Sequence, residues 1–177
     1  METVILVDGQ DREIGAMEKI QAHRENRLHR CFSILVFNLR GGLLAQKRAA
    51  GKYHCPGLWS NTVCGHPRPG EDTVAGGRRR LREEMGFDCE LTDRFQFIYN
   101  AHFSNGLSEH EYDHVLVGEY EGEVRPNPEE VEEYKWQTLA DLQKDVGQNP
   151  DIYSPWFKII LADHADKFEK HRTARPA

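Results

Sequence analysis

Gly65-His66-Pro67-Arg68-Pro69-Gly70-Glu71-Asp72-Thr73-Val74-Ala75-Gly76-Gly77-Arg78-Arg79-Arg80-Leu81-Arg82-Glu83-Glu84-Met85-Gly86-Phe87 joins a breaker-rich loop to a charged helix. Its opening, Gly65 to Gly70, is a loop by every breaker signal. Glu71 to Met85 then reads as a helix, with Val74, Leu81 and Met85 recurring at helical spacing and Gly86 as the stop. Gly76-Gly77 inside it costs roughly 1 kcal/mol per residue relative to alanine, so close packing or a nearby ligand is expected to compensate. Glu83 and Glu84 follow Arg79 and Arg80 by one turn, which lets a carboxylate hold a divalent cation beside a guanidinium that contacts a phosphate. Magnesium suits that arrangement, because it is bound by one or two carboxylates together with a substrate's own phosphate oxygens. An exposed charged face laced with i,i+4 ion pairs is the plain alternative for the same helix.

Upstream, strands are expected at Val4 to Asp8, Cys31 to Leu39, Leu43 to Lys47 and Trp59 to Val63, with a turn at Gly41-Gly42 and a short polar helix from Met17 to His23. Downstream, Phe95 to His102 and Tyr112 to Tyr120 read as antiparallel strands around Ser104-Asn105-Gly106, followed by a strand at Tyr134 to Gln137 and a helix at Leu139 to Val146. Ser154-Pro155-Trp156 opens a last helix, with Ser154 as N-cap and Pro155 in its first position. The acidic stretch from Glu119 to Glu133, broken by Pro126 and Pro128, reads as a solvated loop and helix without chemistry. Strands mixed with helices predict an α/β or α+β fold, a mixed β-sheet sandwiched between helices.

The 177 residues are 38% hydrophobic, enough for one core, and 23 Lys+Arg against 29 Asp+Glu leave a net charge of −6. A negative total without a long basic tail argues against nucleic acid as a partner. No run approaches the roughly 18 apolar residues of a membrane span. Met1-Glu2-Thr3-Val4-Ile5-Leu6-Val7-Asp8 lacks the basic start and long apolar middle of a secretory signal. Cys31, Cys55, Cys64 and Cys89 form no C-x-x-C pair, so reduced thiols and a cytoplasmic location are expected.

A second constellation lies outside the helix. His23 and His29 stand six apart, Cys64-Gly65-His66 precedes the helix, and Glu109-His110-Glu111 marks the entry to a later strand. Alternation puts Glu109 and Glu111 on one face with His110 opposite. Three histidines and two carboxylates could enclose one divalent ion, and by donor type Mn²⁺, Zn²⁺ and Mg²⁺ are all open. Each of these histidines taken alone is more readily a surface or capping residue than a ligand.

The segment from Gly65 to Phe87 resembles the Nudix box, G-x5-E-x7-R-E-U-x-E-E-x-G-U, with every spacing kept and one fixed residue changed. Arg80 stands where a Nudix hydrolase has a metal-binding glutamate, which removes a carboxylate and adds a fixed positive charge. Hydrolysis of a diphosphate should suffer and its binding should not. With the stretch from Pro56 to Pro67, read Pro-Gly-Leu-Trp-Ser-Asn-Thr-Val-Cys-Gly-His-Pro, and with Leu28-His29, Arg48, Lys52, Tyr99, Glu109-His110-Glu111, Tyr134-Lys135-Trp136 and Ser154-Pro155-Trp156, the chain resembles the type 1 isopentenyl-diphosphate isomerase family nearly throughout. The resemblance implies a single Nudix-type domain over 1–177, with family extensions at both ends.

It also implies a reaction, the interconversion of isopentenyl and dimethylallyl diphosphate in isoprenoid biosynthesis. An unactivated alkene needs a proton donor at one terminus, and the resulting tertiary cation must lose a proton from C2 to a base. By resemblance these groups are Cys64 and Glu111, with Tyr99 assisting. The order adopted here has Glu111 protonating and Cys64 accepting as thiolate, the reverse being allowed. His23, His29, His66, Glu109 and Glu111 would hold the divalent ion. Glu84 would hold a Mg²⁺ bound with the diphosphate, and Lys19, Arg48, Lys52 and Arg80 would grip the phosphates. Trp156 would stabilise the tertiary cation through its ring face. Cys31, Cys55 and Cys89 are given no role. Two other readings compete: a Nudix hydrolase of a diphosphate compound, which leaves Cys64, His23 and His29 unused, and a non-catalytic module in which the metal cluster is purely structural.

Overall fold

In the computed structural model, which describes residues 2–169, the strand β3 (His29–Phe37) is buried along its length except at Arg30. A strand covered on both faces takes apolar side chains on both, which is why Ile34 to Phe37 is an unbroken apolar run rather than an alternating one, while the buried His29 and Ser33 are hydrogen-bonded. The other elements in chain order are β1 (Thr3–Val7), β2 (Glu13–Glu18), α1 (Lys19–Arg24), β4 (Leu43–Arg48), β5 (Trp59–Ser60), β6 (Val63–Gly65), α2 (Thr73–Met85), β7 (Leu91–His102), β8 (Ser108–Glu119), β9 (Val131–Gln137), α3 (Leu139–Gln148), a 3₁₀ turn (Pro150–Ile152), α4 (Pro155–Asp163) and α5 (Ala165–Glu169). Residues 1 and 170–177 of the expected domain lie outside the described residues.

The sheet is mixed. β3 runs parallel to β8 from His29↔Glu111 to Phe37↔Glu119. β1, β6 and β4 pair with it antiparallel at Leu6↔His29, Phe32–Ile34 against Val63–Gly65, and Phe37↔Leu43. β7 flanks β8 and β9 flanks β4, both antiparallel. Phe32, Ile34 and Val36 pack with Leu81 and Met85 of α2, while Leu35 and Phe37 pack with Leu142 of α3 and Phe157 and Ile160 of α4. The sheet therefore lies between α2 and the C-terminal helices, as expected.

The helix α2 begins where Asp72 accepts a 3.0 Å hydrogen bond from the backbone N–H of Ala75 and ends at Gly86, whose φ of 73° is left-handed. Close packing accounts for Gly77: a Cβ there would stand 2.7 Å from Leu116 Cδ1. At Gly86 a Cβ would fall 2.2 Å from the carbonyl oxygen of Arg125.

Several expectations from sequence change in the structure. Met17 belongs to the strand β2, which was not foreseen, and the following helix starts at Lys19, with the Glu18 carboxylate accepting from the N–H groups of Ile20 and Gln21. The run Trp59 to Val63 is broken at Asn61-Thr62, whose side chains bind the carbonyls of Ile34 and Leu44. Ser154 occupies the N-cap position of α4 without capping it, because its hydroxyl turns 2.9 Å from that of Ser60. The end of the acidic stretch is the strand β9 rather than a helix, and its lead-in Glu130 contacts Lys52 and Arg80.

Candidate active site and metal centre

Odd-numbered residues of β8 share one face of the sheet. Towards the end of the strand they are Val115 and Val117, in the apolar core, and towards its start they are Asp113, Glu111 and Glu109, all buried. One pleated face thus passes from core to carboxylates without leaving the interior. The pairing register sets His29 of β3, Glu111 of β8 and Tyr99 of β7 in one row across three strands. Glu109 and Glu111 are within β8, not at its entry, since pairing extends back to Ser108.

His23, on α1, and His29 are both fully buried, and with His66 they form a triangle of rings with centroids 4.8, 5.0 and 5.7 Å apart. Nδ1 of His23 lies 2.7 Å from the carbonyl of Lys19, and Nδ1 of His29 lies 2.8 Å from that of Arg27. Each Nδ1–H donates to its carbonyl, which leaves the Nε2 lone pair facing inward. Nε2 of His23 is buried without a hydrogen-bond partner among the described residues. The donor atoms of His23, His29, His66 and Glu111 lie within 4.8 Å of one another. An orphaned inward nitrogen in a nitrogen-rich cluster closed by a carboxylate fits a divalent cation.

Glu109, the fifth expected donor, falls in an adjoining group with His54 and again His23. Its Oε1 accepts from Nε2 of His54, and its Oε2 lies 3.1 Å from the hydroxyl of Tyr99, which also contacts Glu111. Burial pushes both glutamates up, but the imidazoles of His29 and His66 beside it hold Glu111 well below the usual carboxylate range. Glu109, beside that charge, sits well above it. Burial and the neighbouring His66 bring His23 down to about 4. Asp113 was not foreseen as part of this row. Burial and Glu111 raise it to about 7, and its Oδ2 accepts from the hydroxyl of Ser33 at 2.7 Å.

A cavity of about 370 Å³ opens beside this cluster and brings together most of the residues singled out in the sequence. Cys64, Tyr99, Glu109, Glu111 and His66 line it, as do Trp156 and the four cationic residues Lys19, Arg48, Lys52 and Arg80. The size is that of an ordinary small-molecule pocket. His23 and His29 stand behind the wall and not in it.

Cys64 Sγ donates to Asn61 Oδ1 at 3.0 Å and accepts from Trp156 Nε1 at 2.9 Å. Burial pushes its thiol up to about 12, so it is protonated at neutral pH. Trp156 is only 2% exposed, with Arg48 5.5 Å from its ring centroid. The Arg48 guanidinium also donates to the carbonyl of His54 at 3.1 and 3.4 Å, so it holds the loop as well as lining the cavity.

The remaining cations are paired with carboxylates. Lys19 contacts Glu2 and Lys52 contacts Glu130. Arg80 contacts Glu83 at 2.6 Å, Glu84, and Glu130 at 3.2 Å. Glu84 is 1% exposed and accepts from Gln46 at 2.9 Å. It does not line the cavity itself but sits behind Arg80. Arg79 is withdrawn from the cavity into the helix entry, donating to both oxygens of Glu71 at 2.8 and 2.9 Å. Sequence reasoning missed His54, Asn61, Asp113 and Glu130. Only Asn61 stood within a recognised string, and the others reach the site through long-range pairing that no local spacing reveals.

The NUDIX domain family model matches residues 27–157. Isopentenyl-diphosphate Delta-isomerase 1 of Aromatoleum aromaticum is 52% identical over 160 residues, covering 90% of this chain and 90% of that protein. Isopentenyl-diphosphate Delta-isomerase 2 of Photorhabdus laumondii is 50% identical over the same shares. Among solved structures, a protein of Deinococcus radiodurans is similar with a TM-score of 0.76 at 19% identity, over 90% of this chain and 97% of that one, a likeness of fold alone. The chain belongs to the NUDIX domain family and, within it, to the isopentenyl-diphosphate Delta-isomerases.

Proposed function

We propose that this protein interconverts isopentenyl diphosphate and dimethylallyl diphosphate by moving protons between the substrate and Cys64 and Glu111. The observation that carries the reading is that thiol and carboxyl open into one cavity whose lining also carries four cationic side chains. Lys19, Arg48, Lys52 and Arg80 bind the diphosphate, whose oxygens replace Glu2 as the partner of Lys19 and Glu130 as the partner of Lys52 and Arg80. Glu84 would hold a magnesium ion, which would add positive charge beside the diphosphate. His23, His29, His66, Glu111 and Glu109 would hold a divalent ion, Mn²⁺, Zn²⁺ or Mg²⁺, which would supply positive charge that acidifies a nearby carboxyl.

Protonation of the terminal CH₂ carbon of isopentenyl diphosphate forms a C–H bond from the alkene π pair and leaves a tertiary cation at C3. Loss of a proton from C2 returns the electron pair as the new double bond. Of Cys64 and Glu111, one gives the first proton and the other takes the second, and both orders keep the same two groups at the two carbons. Tyr99, bridging both glutamates, orients Glu111. The indole of Trp156 excludes water and faces the cation, an interaction of roughly 2 kcal/mol or more in a dry site.

The partner is thus a small isoprenoid diphosphate. Among the described residues no helix is long and apolar enough to cross a membrane. A single domain working in the cytoplasm as an isomerase is the reading adopted. Incubation with isopentenyl diphosphate, Mg²⁺ and Mn²⁺, followed by product analysis, tests it: dimethylallyl diphosphate without released phosphate is expected. Release of inorganic phosphate or diphosphate favours the hydrolase instead.

A further inference from the structure

The loop Tyr53-His54-Cys55 carries no periodicity and no family signature used above, yet it drives an imidazole into the centre of the site. The His54 side chain is 6% exposed. Its carbonyl accepts both hydrogen bonds from Arg48, and the next residue, Cys55, has a φ of 48°, a left-handed conformation unusual for a residue other than glycine. The ring is fixed from three further sides, by Tyr53 at 4.1 Å, Phe103 at 5.7 Å and Trp156 at 6.1 Å between centroids. So determined a placement has one polar outcome: Nε2 of His54 meets Oε1 of Glu109. Nδ1 is buried without a partner among the described residues. An unpaired acceptor nitrogen costs less than an unpaired buried N–H, so the proton belongs on Nε2, where it is donated to the carboxylate.

The Glu109 carboxylate is therefore held at both oxygens, by His54 on Oε1 and Tyr99 on Oε2. The donor atoms of His23, His54 and Glu109 lie within 4.8 Å of one another, as do those of His23, His29, His66 and Glu111. His23 has a single free nitrogen, so the two groups converge on one ion and not on two. We propose that His54 is a positioning residue that aims Glu109 at the ion held by the histidine triangle and Glu111. The inference rests on the metal-site reading above and adds to it a residue outside the donor set. Partners of this kind orient metal-binding carboxylates, and their loss typically weakens metal affinity 10- to 100-fold.

Titrating the purified full chain with Mn²⁺ alone and Zn²⁺ alone, alongside thermal unfolding of the metal-free protein, tests this. His54→Leu should weaken binding about 10- to 100-fold. His54→Gln, which keeps an N–H donor in reach of Glu109, should stay within about threefold of wild type. In a Glu109→Gln background, His54→Leu should change affinity by less than about twofold, because the group it positions is gone. Wild-type affinity in His54→Leu, an equal loss in His54→Gln, or a full loss in the Glu109→Gln background would each overturn the role. Should His54→Leu not fold, His54→Phe, which keeps a ring against Tyr53, takes its place with the same expected loss. A wild-type protein that takes up neither ion sinks the metal site itself, and His54's role with it. Uptake by wild type with unchanged affinity in the variants sinks only the role of His54.

Discussion

The indole Nε1 of Trp156 lies 2.9 Å from Sγ of Cys64 and 2.9 Å from Oδ1 of Asn61, which places the N-terminal turn of α4 directly on the reacting thiol. Trp156 therefore has two functions that can be separated. Trp156→Phe keeps an aromatic face and loses the N–H, and should lower kcat by less than about tenfold. Trp156→Leu loses the face as well. A lost cation–π contact of about 2 kcal/mol corresponds to roughly a further 30-fold. Steady-state kinetics of both variants checks this, and equal kcat in the two would remove the ring face from the mechanism.

Cys64 and Glu111 should fail in different ways. Cys64→Ala removes a proton carrier and no metal donor, so kcat should fall by about 10²- to 10⁴-fold or more while divalent-ion uptake is unchanged. Glu111→Gln removes a proton carrier and the carboxylate bound to His29 and His66, so both turnover and ion uptake should fall. Metal analysis beside the activity assay separates the two. A Cys64→Ala protein with normal turnover would refute its assignment.

Arg80 neutralises a concentration of acid, since Glu83, Glu84 and Glu130 all reach it. Arg80→Gln should raise KM for the diphosphate substrate by about tenfold or more, the worth of a charge-assisted bond to phosphate. Ion binding at the histidine triangle should stay as it is. An unchanged KM would show that the guanidinium serves only its glutamates.

His114 gives a pH dependence away from the cavity. Its Nδ1 lies 2.6 Å from Asp93 on β7 and its Nε2 3.0 Å from Asp11 in the β1–β2 loop, and Arg30 of β3 binds Asp11 at 2.8 Å. Burial alone would lower the imidazole's pKa, but the two carboxylates raise it above 6.5. The folded protein then holds this proton more tightly than the unfolded chain, so the contribution is fully present below pH 6.5 and lost as pH rises through the folded value. His114→Gln should cost about 1–3 kcal/mol at pH 6 and progressively less towards pH 9. Thermal or urea unfolding across that range measures it, and a loss independent of pH would contradict the charged bridge.

How far the sequence revealed this molecule depends on the range of each signal. The α2 helix was legible because its apolar spacing is local and Gly86 could be read as a stop from its place alone, while its start was read at Glu71 and lies at Thr73, after the Asp72 cap. β3 was legible because burial on both faces leaves an unbroken apolar run. β2 was not, since Glu13–Glu18 is mostly exposed and has no alternation to betray it. Glu130 sits among glutamates that elsewhere face solvent, and only the pairing of β9 with β4 carries it to Lys52 and Arg80. His54 and Asp113 escaped for a similar reason, because their partners Glu109 and Ser33 are 55 and 80 residues distant. The histidines and carboxylates of the cluster were named from their donor types and gained their weight through resemblance, and the row His29, Glu111, Tyr99 explains physically why residues so scattered converge.

The most direct test follows deuterium. Wild-type protein with isopentenyl diphosphate, Mg²⁺ and Mn²⁺ in deuterated water should yield dimethylallyl diphosphate carrying deuterium in a terminal methyl group, and Cys64→Ala and Glu111→Gln should yield almost none over the same period. Dimethylallyl diphosphate without deuterium, or substrate consumed to free phosphate, would contradict proton exchange at this cavity.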